Sequence, residues 1–302
     1  MKLVAVLVCI FSLCLSEHSH GNFEGKGLEP TIKDVSYGPC KMNTLNFWQV
    51  VSDKPVPVVI KIHSGGWLVG AKDLILDFND PYINSGIAVV SIDYRLTADE
   101  KLPAPVYDAA RAIQFVRWKA KEWNIDKNKV AVVGGSAGGC TALWLALYDD
   151  LKDPAKDDPV ERESTKPTCA ATWLAQTCLD PIWIIENIGF QALKHSMIYK
   201  SLGAKSTCDL LENEKSYKGL IEMFSPILHI DKDDPPIYLE YKSDISFPAK
   251  NQSHGIHHGN FGIKLKERAE EIGYDQCYLN IIENPSSKSS SLIEFVKKEL
   301  LE

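Results

Sequence analysis

The chain predicts an α/β fold built on a mostly parallel sheet with helices on both faces, and three observations predict it. Short runs of β-branched residues alternate with stretches of helical period along most of the 302 residues, the pattern that parallel strands joined by crossover helices impose. One such run, Val130-Ala131-Val132-Val133, enters Gly134-Gly135-Ser136-Ala137-Gly138 and then a helical stretch to Tyr148. Another, Pro57 to Ile62, ends in His63-Ser64-Gly65-Gly66-Trp67.

The Ser136 stretch organises the rest. A strand that turns sharply into a helix through Gly-x-Ser-x-Gly holds its serine in a strained backbone, with small neighbours at Gly134 and Gly138 to let strand and helix pass closely. Such a turn can also hold phosphate on a helix N-terminus, but a phosphate loop of that type needs Gly-Lys-Ser/Thr, and Gly139-Cys140-Thr141 lacks the lysine. The Gly65-Gly66 pair supplies what acyl transfer needs beside a nucleophile, backbone N–H groups able to approach a developing oxyanion.

With both motifs in order, the chain resembles the α/β-hydrolase superfamily, in particular the hormone-sensitive-lipase-like and feruloyl/acetylxylan-type esterases whose loop reads His-Gly-Gly-Gly-Trp. Ser64 stands at the first glycine. The resemblance covers about Tyr37 to the C-terminus. It implies Ser136 as nucleophile, Gly65, Gly66 and Ala137 as oxyanion donors, and a carboxylesterase activity without metal or organic cofactor. Tyr94-Arg95-Leu96 with Pro103-Ala104 and Asp108 is also similar to that family, where these segments are scaffold; Asp108 and Arg111 read as surface or capping charges.

Taken in order, the chain opens with Lys2, an apolar run from Leu3 to Leu15 and small Ser16, the make-up of a secretory signal peptide over residues 1–16. The run is too short for a membrane anchor. Residues 17–302 then form one hydrolase domain, secreted or periplasmic. The formal charge of −7 becomes −8 once Lys2 is removed, and no basic run remains to track nucleic acid or an anionic membrane, so neither partner is expected. Six cysteines follow the signal segment, too many connectivities for sequence to choose among; Cys140 reads as a buried thiol. No spacing of Cys or His suits zinc.

Ile87 to Ile92 reads as a buried strand, and Pro103-Ala104-Pro105 opens a helix whose apolar positions step by three and four, with Trp118 and Trp123 packed as core. Cys169 to Ala175 is the next strand. The segment 181–224, rich in aromatics and amphipathic, is expected as a small helical cap over a pocket, as in the family; within it His195 reads as a solvated histidine.

The strand Ile237 to Tyr241 leads to Lys242-Ser243-Asp244-Ile245-Ser246-Phe247-Pro248. The resemblance puts the acid of a triad at Asp244; the alternative is an Asx-type turn, which Asp makes unaided. In the family the histidine follows the last strand, yet after Cys277 to Ile282 comes Glu283 to Ser291 with no histidine, and none occurs after His258. Two readings stand. Either His257 or His258, in the run Ser253-His254-Gly255-Ile256-His257-His258 before an amphipathic helix from Phe261 to Ile272, supplies the base to Ser136. Or the protein is a degenerate hydrolase that binds a ligand without turnover. If active, it takes small-molecule esters, with acylated carbohydrate a reasonable class; oligomeric state is not readable. His63 belongs to the structural position of its loop, and His229 lies ahead of the strand leading to Asp244.

Overall fold

Runs such as Val58-Val59-Ile60 and Val89-Val90 are apolar on both faces, so they lose most exposed surface only inside a sheet covered by helices on each side. The computed structural model describes residues 29–73 and 79–302; the signal segment lies outside them. Eight strands, β1 (Ile32–Ser36), β2 (Thr44–Trp48), β3 (Val56–Ile62), β4 (Ala88–Ile92), β5 (Ile125–Gly135), β6 (Cys169–Trp173), β7 (Ile237–Lys242) and β8 (Cys277–Ile282), form one sheet in the order β1-β2-β4-β3-β5-β6-β7-β8. The six strands from β3 onward run parallel, and β1 and β2 are antiparallel at one edge. That edge pair is not visible in the sequence pattern, because β1 is mostly exposed and β2 carries a buried asparagine, Asn46, in place of an unbroken apolar run.

The helices are α1 (Asn79–Ile83), α2 (Ala104–Trp118), α3 (Ala120–Trp123), α4 (Ala137–Leu147), α5 (Pro181–Asn187), α6 (Phe190–Leu193), α7 (Ser196–Ser201), α8 (Thr207–Glu212), α9 (Glu214–Met223), α10 (Gln252–Ile256), α11 (Asn260–Glu271) and α12 (Ser290–Leu301). One face of the sheet buries α2, α4 and α11 through residues such as Val106, Ile113, Leu143, Phe261 and Leu265. The other face takes α1 and α12 through Tyr82, Leu292, Val296 and Leu300. Helix α4 is buried along its whole length, which explains its uniformly apolar sequence.

Two expectations need correction. Trp123 is buried, but Trp118 at the end of α2 is 43% exposed, because the chain turns into α3 immediately after it. Asp108 is no surface charge: it is 3% exposed, and its carboxylate accepts from the backbone N–H, Nε and Nη2 of Arg95 at 2.9, 2.8 and 2.7 Å. This forked pair ties α2 to the loop after β4.

Every parallel strand delivers its C-terminal end to the same edge of the sheet, which is where ligands bind in open α/β sheets. The loop after β3, the turn after β5 and Trp173 at the end of β6 all arrive there.

Candidate active site

Ser136 sits between β5 and α4 with φ 50° and ψ −122°. A non-glycine residue there stores roughly 1–3 kcal/mol of backbone strain, held by packing on both sides. A Cβ on Gly134 would lie 2.5 Å from the Gly138 backbone, and one on Gly138 would lie 2.3 Å from the Ile62 carbonyl oxygen. The turn is thus wedged between α4 and β3, and the serine hydroxyl projects into a cleft of about 500 Å³ lined by Ser64–Gly66, Leu68, Val69, Trp173, Leu174, His195, Ser196 and His257.

The loop after β3 is clamped in place. The Tyr94 hydroxyl donates to the His63 carbonyl at 2.8 Å, and the Tyr94 ring stacks on His63 at 4.0 Å. Ser64 Oγ donates to the Gly135 carbonyl at 2.9 Å, joining this loop to the serine turn; the side chain that replaces a family glycine is therefore used. Trp67 Nε1 donates to Thr141 Oγ1 at 2.9 Å. Gly65 and Gly66 have φ of 110° and 65°, open only to glycine without strain. Among the described residues, none accepts from the backbone N–H groups of Gly65, Gly66 or Ala137.

His257, the C-cap residue of α10, brings Nε2 to 3.0 Å from Ser136 Oγ. Three contacts fix α10. Gly255 lies so close to Ala192 of α6 that a Cβ would approach its backbone to 2.8 Å. Gln176 Nε2 donates to the Ile256 carbonyl at 2.6 Å. Asn251 caps the helix by accepting from the His254 N–H. Burial first, then the charges of His195 and Lys242, lower the His257 pKa to about 4. Among the described residues no carboxylate opposes that shift. The Ser253 backbone carbonyl acts on the ring in the opposite sense, favouring a proton on the imidazole; a proton on Nδ1 leaves Nε2 as the acceptor facing Ser136.

The structure thus gathers Ser136, Gly65, Gly66 and His257 at one cleft, with Ala137 next in the chain to the serine as the first residue of α4, and it leaves Asp244 and His258 out. Asp244 is exposed, and its carboxylate takes Lys250 Nζ at 2.6 Å and the Ser246 hydroxyl and N–H at 2.7 and 3.2 Å. Its nearest imidazole is His254, at 3.8 Å. These donors hold its pKa well below the usual carboxylate range. The Asx-type turn that Asp244 makes with Ser246 directs the carboxylate along the surface loop instead of toward His257. His258 is buried away from the serine: Nδ1 accepts from the Asn260 N–H at 3.1 Å, and Nε2 donates to the Ser246 carbonyl at 3.3 Å. Gln176 and Gly255 escaped the sequence reading, since each matters only through a contact distant in the chain, and His195, expected as a solvated histidine, is instead half-buried in the lining of the cleft. Cys140 is a buried free thiol, its pKa raised by desolvation.

A parallel sheet with a strained serine at the β5–α4 turn and an imidazole 3.0 Å from its hydroxyl defines the α/β-hydrolase class. Within it, residues 47–258 match the BD-FAE family model, and the chain belongs to that family of α/β-hydrolase carboxylesterases. It is 35% identical over 246 residues to carboxylesterase NlhH of Mycobacterium tuberculosis, covering 75% of this chain and 74% of that protein. An arylesterase of Saccharolobus solfataricus is 40% identical over 118 residues, 39% of this chain and 37% of its own. Among solved structures, the acetyl ester-xyloside bifunctional hydrolase of Caldicellulosiruptor lactoaceticus superposes with a TM-score of 0.69 at 23% identity, over 90% of this chain and 96% of that one. Thermogutta terrifontis Est2 gives 0.64 at 19% identity, over 89% of each.

Proposed function

We propose that the protein is an exported serine hydrolase of carboxylic esters, working through an acyl-enzyme on Ser136. The observation that carries this reading is the 3.0 Å approach of His257 Nε2 to Ser136 Oγ. Kinship with carboxylesterase NlhH supports the ester bond as the target, and the charged-then-apolar segment at residues 1–16 supports export.

His257, neutral and accepting at Nε2, takes the hydroxyl proton as Ser136 attacks the ester carbonyl. The N–H groups of Gly65, Gly66 and Ala137 receive the oxyanion; they are donors already in place, without side chains to reorganise. His257 then passes its proton to the alkoxy oxygen, the alcohol leaves, and water repeats the sequence on the acyl-enzyme. The Ser253 carbonyl does part of what a carboxylate does in a triad: it favours a proton on the imidazole. Being an uncharged dipole, it stabilises the imidazolium less, consistent with the lowered pKa.

Burst kinetics with p-nitrophenyl acetate test the reading: a burst in the wild type that vanishes in Ser136→Ala is expected. Absence of any burst above the Ser136→Ala background, for acetate and for longer acyl chains, overturns it in favour of ligand binding without turnover.

A pH profile adds an independent check. The base must be neutral, and His257 is protonated only below its pKa of about 4. kcat/KM is therefore expected to stay level from neutral pH down to about 5 and to fall about tenfold per unit below the pKa. A midpoint near 6.5 contradicts the buried, carboxylate-free imidazole.

A further inference from the structure

His195 is a second imidazole in the cleft that the proposed hydrolysis does not use. It is the N-cap residue of α7, and its Nδ1 accepts from the Met197 N–H at 3.3 Å. A ring nitrogen that accepts carries no proton, so in the neutral imidazole the proton is on Nε2. Half-burial lowers the His195 pKa, which keeps that neutral form. Among the described residues none accepts from Nε2–H, while the ring lines the cleft together with Ser136 and His257.

Its place relative to the bond that breaks follows from its neighbours. Helix α7 rests on the loop after β3, where a Cβ on Gly66 would lie 3.3 Å from Met197 Cβ. His195 and His257 line the same cleft. His257 is the group that protonates the departing alkoxy oxygen, so a donor beside it faces the alcohol half of the ester. Leu68, Val69, Trp173 and Leu174 on the wall present largely apolar surface, suited to an acyl group. Polar side chains beyond the reacting pair come from His195 and its neighbour Ser196, with Ser64 engaged by Gly135.

Resting on the serine-hydrolase reading above, we propose that His195 is a specificity-determining residue whose Nε2–H hydrogen-bonds an oxygen on the alcohol side of the substrate, selecting acylated polyols and carbohydrates over esters of simple alcohols. A site donor left unpaired by an alcohol without a second oxygen forfeits that bond, and discrimination arises from the loss.

The test compares kcat/KM for xylose tetraacetate with that for phenyl acetate, whose alcohol side has no oxygen beyond the ester, in the wild type, His195→Asn and His195→Gln. Asparagine keeps an N-cap acceptor for the Met197 N–H but is too short to present a donor where Nε2 stands. Glutamine reaches that point and gives up the cap. Damage to α7 lowers both substrates together, so the ratio isolates the hydrogen bond. The sugar-to-phenyl ratio is expected to fall about tenfold in His195→Asn and to return within about threefold of wild type in His195→Gln. An active wild type whose ratio does not move in His195→Asn, or that hydrolyses phenyl acetate and not the sugar ester, overturns the role of His195 and leaves the serine mechanism standing. A wild type no faster than Ser136→Ala on either substrate overturns both.

Discussion

Replacing His257 by alanine is expected to lower kcat/KM for p-nitrophenyl acetate by about a thousandfold or more, to the level of Ser136→Ala, with no further loss in the double variant. The two groups act as one unit: without the imidazole the hydroxyl is a weak nucleophile, and without the hydroxyl the imidazole has no proton to move. What remains is binding plus the three backbone donors. The informative partner is Asp244→Asn, for which a change within about threefold is expected. Asp244 is exposed, bound to Lys250 at 2.6 Å and to Ser246 at 2.7 Å, and it is not among the groups that act on the His257 pKa, where the raising influence is the Ser253 carbonyl. A collapse in Asp244→Asn as deep as in His257→Ala would show that the loop rearranges to form a full triad, and it would sink the carbonyl-supported pair. Circular dichroism and Tm of each variant separate chemistry from folding.

The second large effect is on stability. Gly138→Ala is expected to destabilise the protein by on the order of 3 kcal/mol, lowering Tm by roughly 4–6 °C. The added methyl would meet the Ile62 carbonyl oxygen at 2.3 Å and the His63 carbonyl oxygen at 2.6 Å. Both are backbone atoms of β3 and the loop it feeds, so no rotamer change relieves the clash and α4 must move off the sheet. Because His63 begins the loop carrying Gly65 and Gly66, activity is expected to fall along with Tm. Gly219→Ala is the control: it lies in α9 with nothing within 4 Å of the added carbon, and a stabilisation of about 0.5–1 kcal/mol is expected from helix propensity. Equal thermal shifts in the two variants would contradict the wedge at the serine turn.

The central parallel strands, the serine turn and the glycine loop were legible in the sequence because each is a local pattern. A buried parallel strand must be apolar on both faces, and a strained strand-to-helix turn leaves glycines where backbones meet. The antiparallel edge β1–β2 carries no such pattern, since β1 is exposed at most positions and β2 buries the polar Asn46 among its apolar residues. Asp108 looked like a surface charge for the same reason: its forked bond to Arg95 joins residues 13 apart, and the register of α2 alone does not reveal the partner.

The histidine divides the two kinds of information most sharply. From sequence, His257 and His258 are adjacent and chemically equal, and Asp244 follows its strand as an acid should. The fold separates them through contacts of long range: Gln176 and Ala192 fix α10, the Ser246 carbonyl claims His258, and Lys250 claims Asp244. By itself the sequence determined that a serine and backbone donors meet at one sheet edge, because strand polarity and glycine spacing are written in neighbouring residues. Which imidazole faces that serine, what steadies it, and that His195 stands beside it were decided only by tertiary structure, because side-chain direction at a helix end depends on what packs behind it.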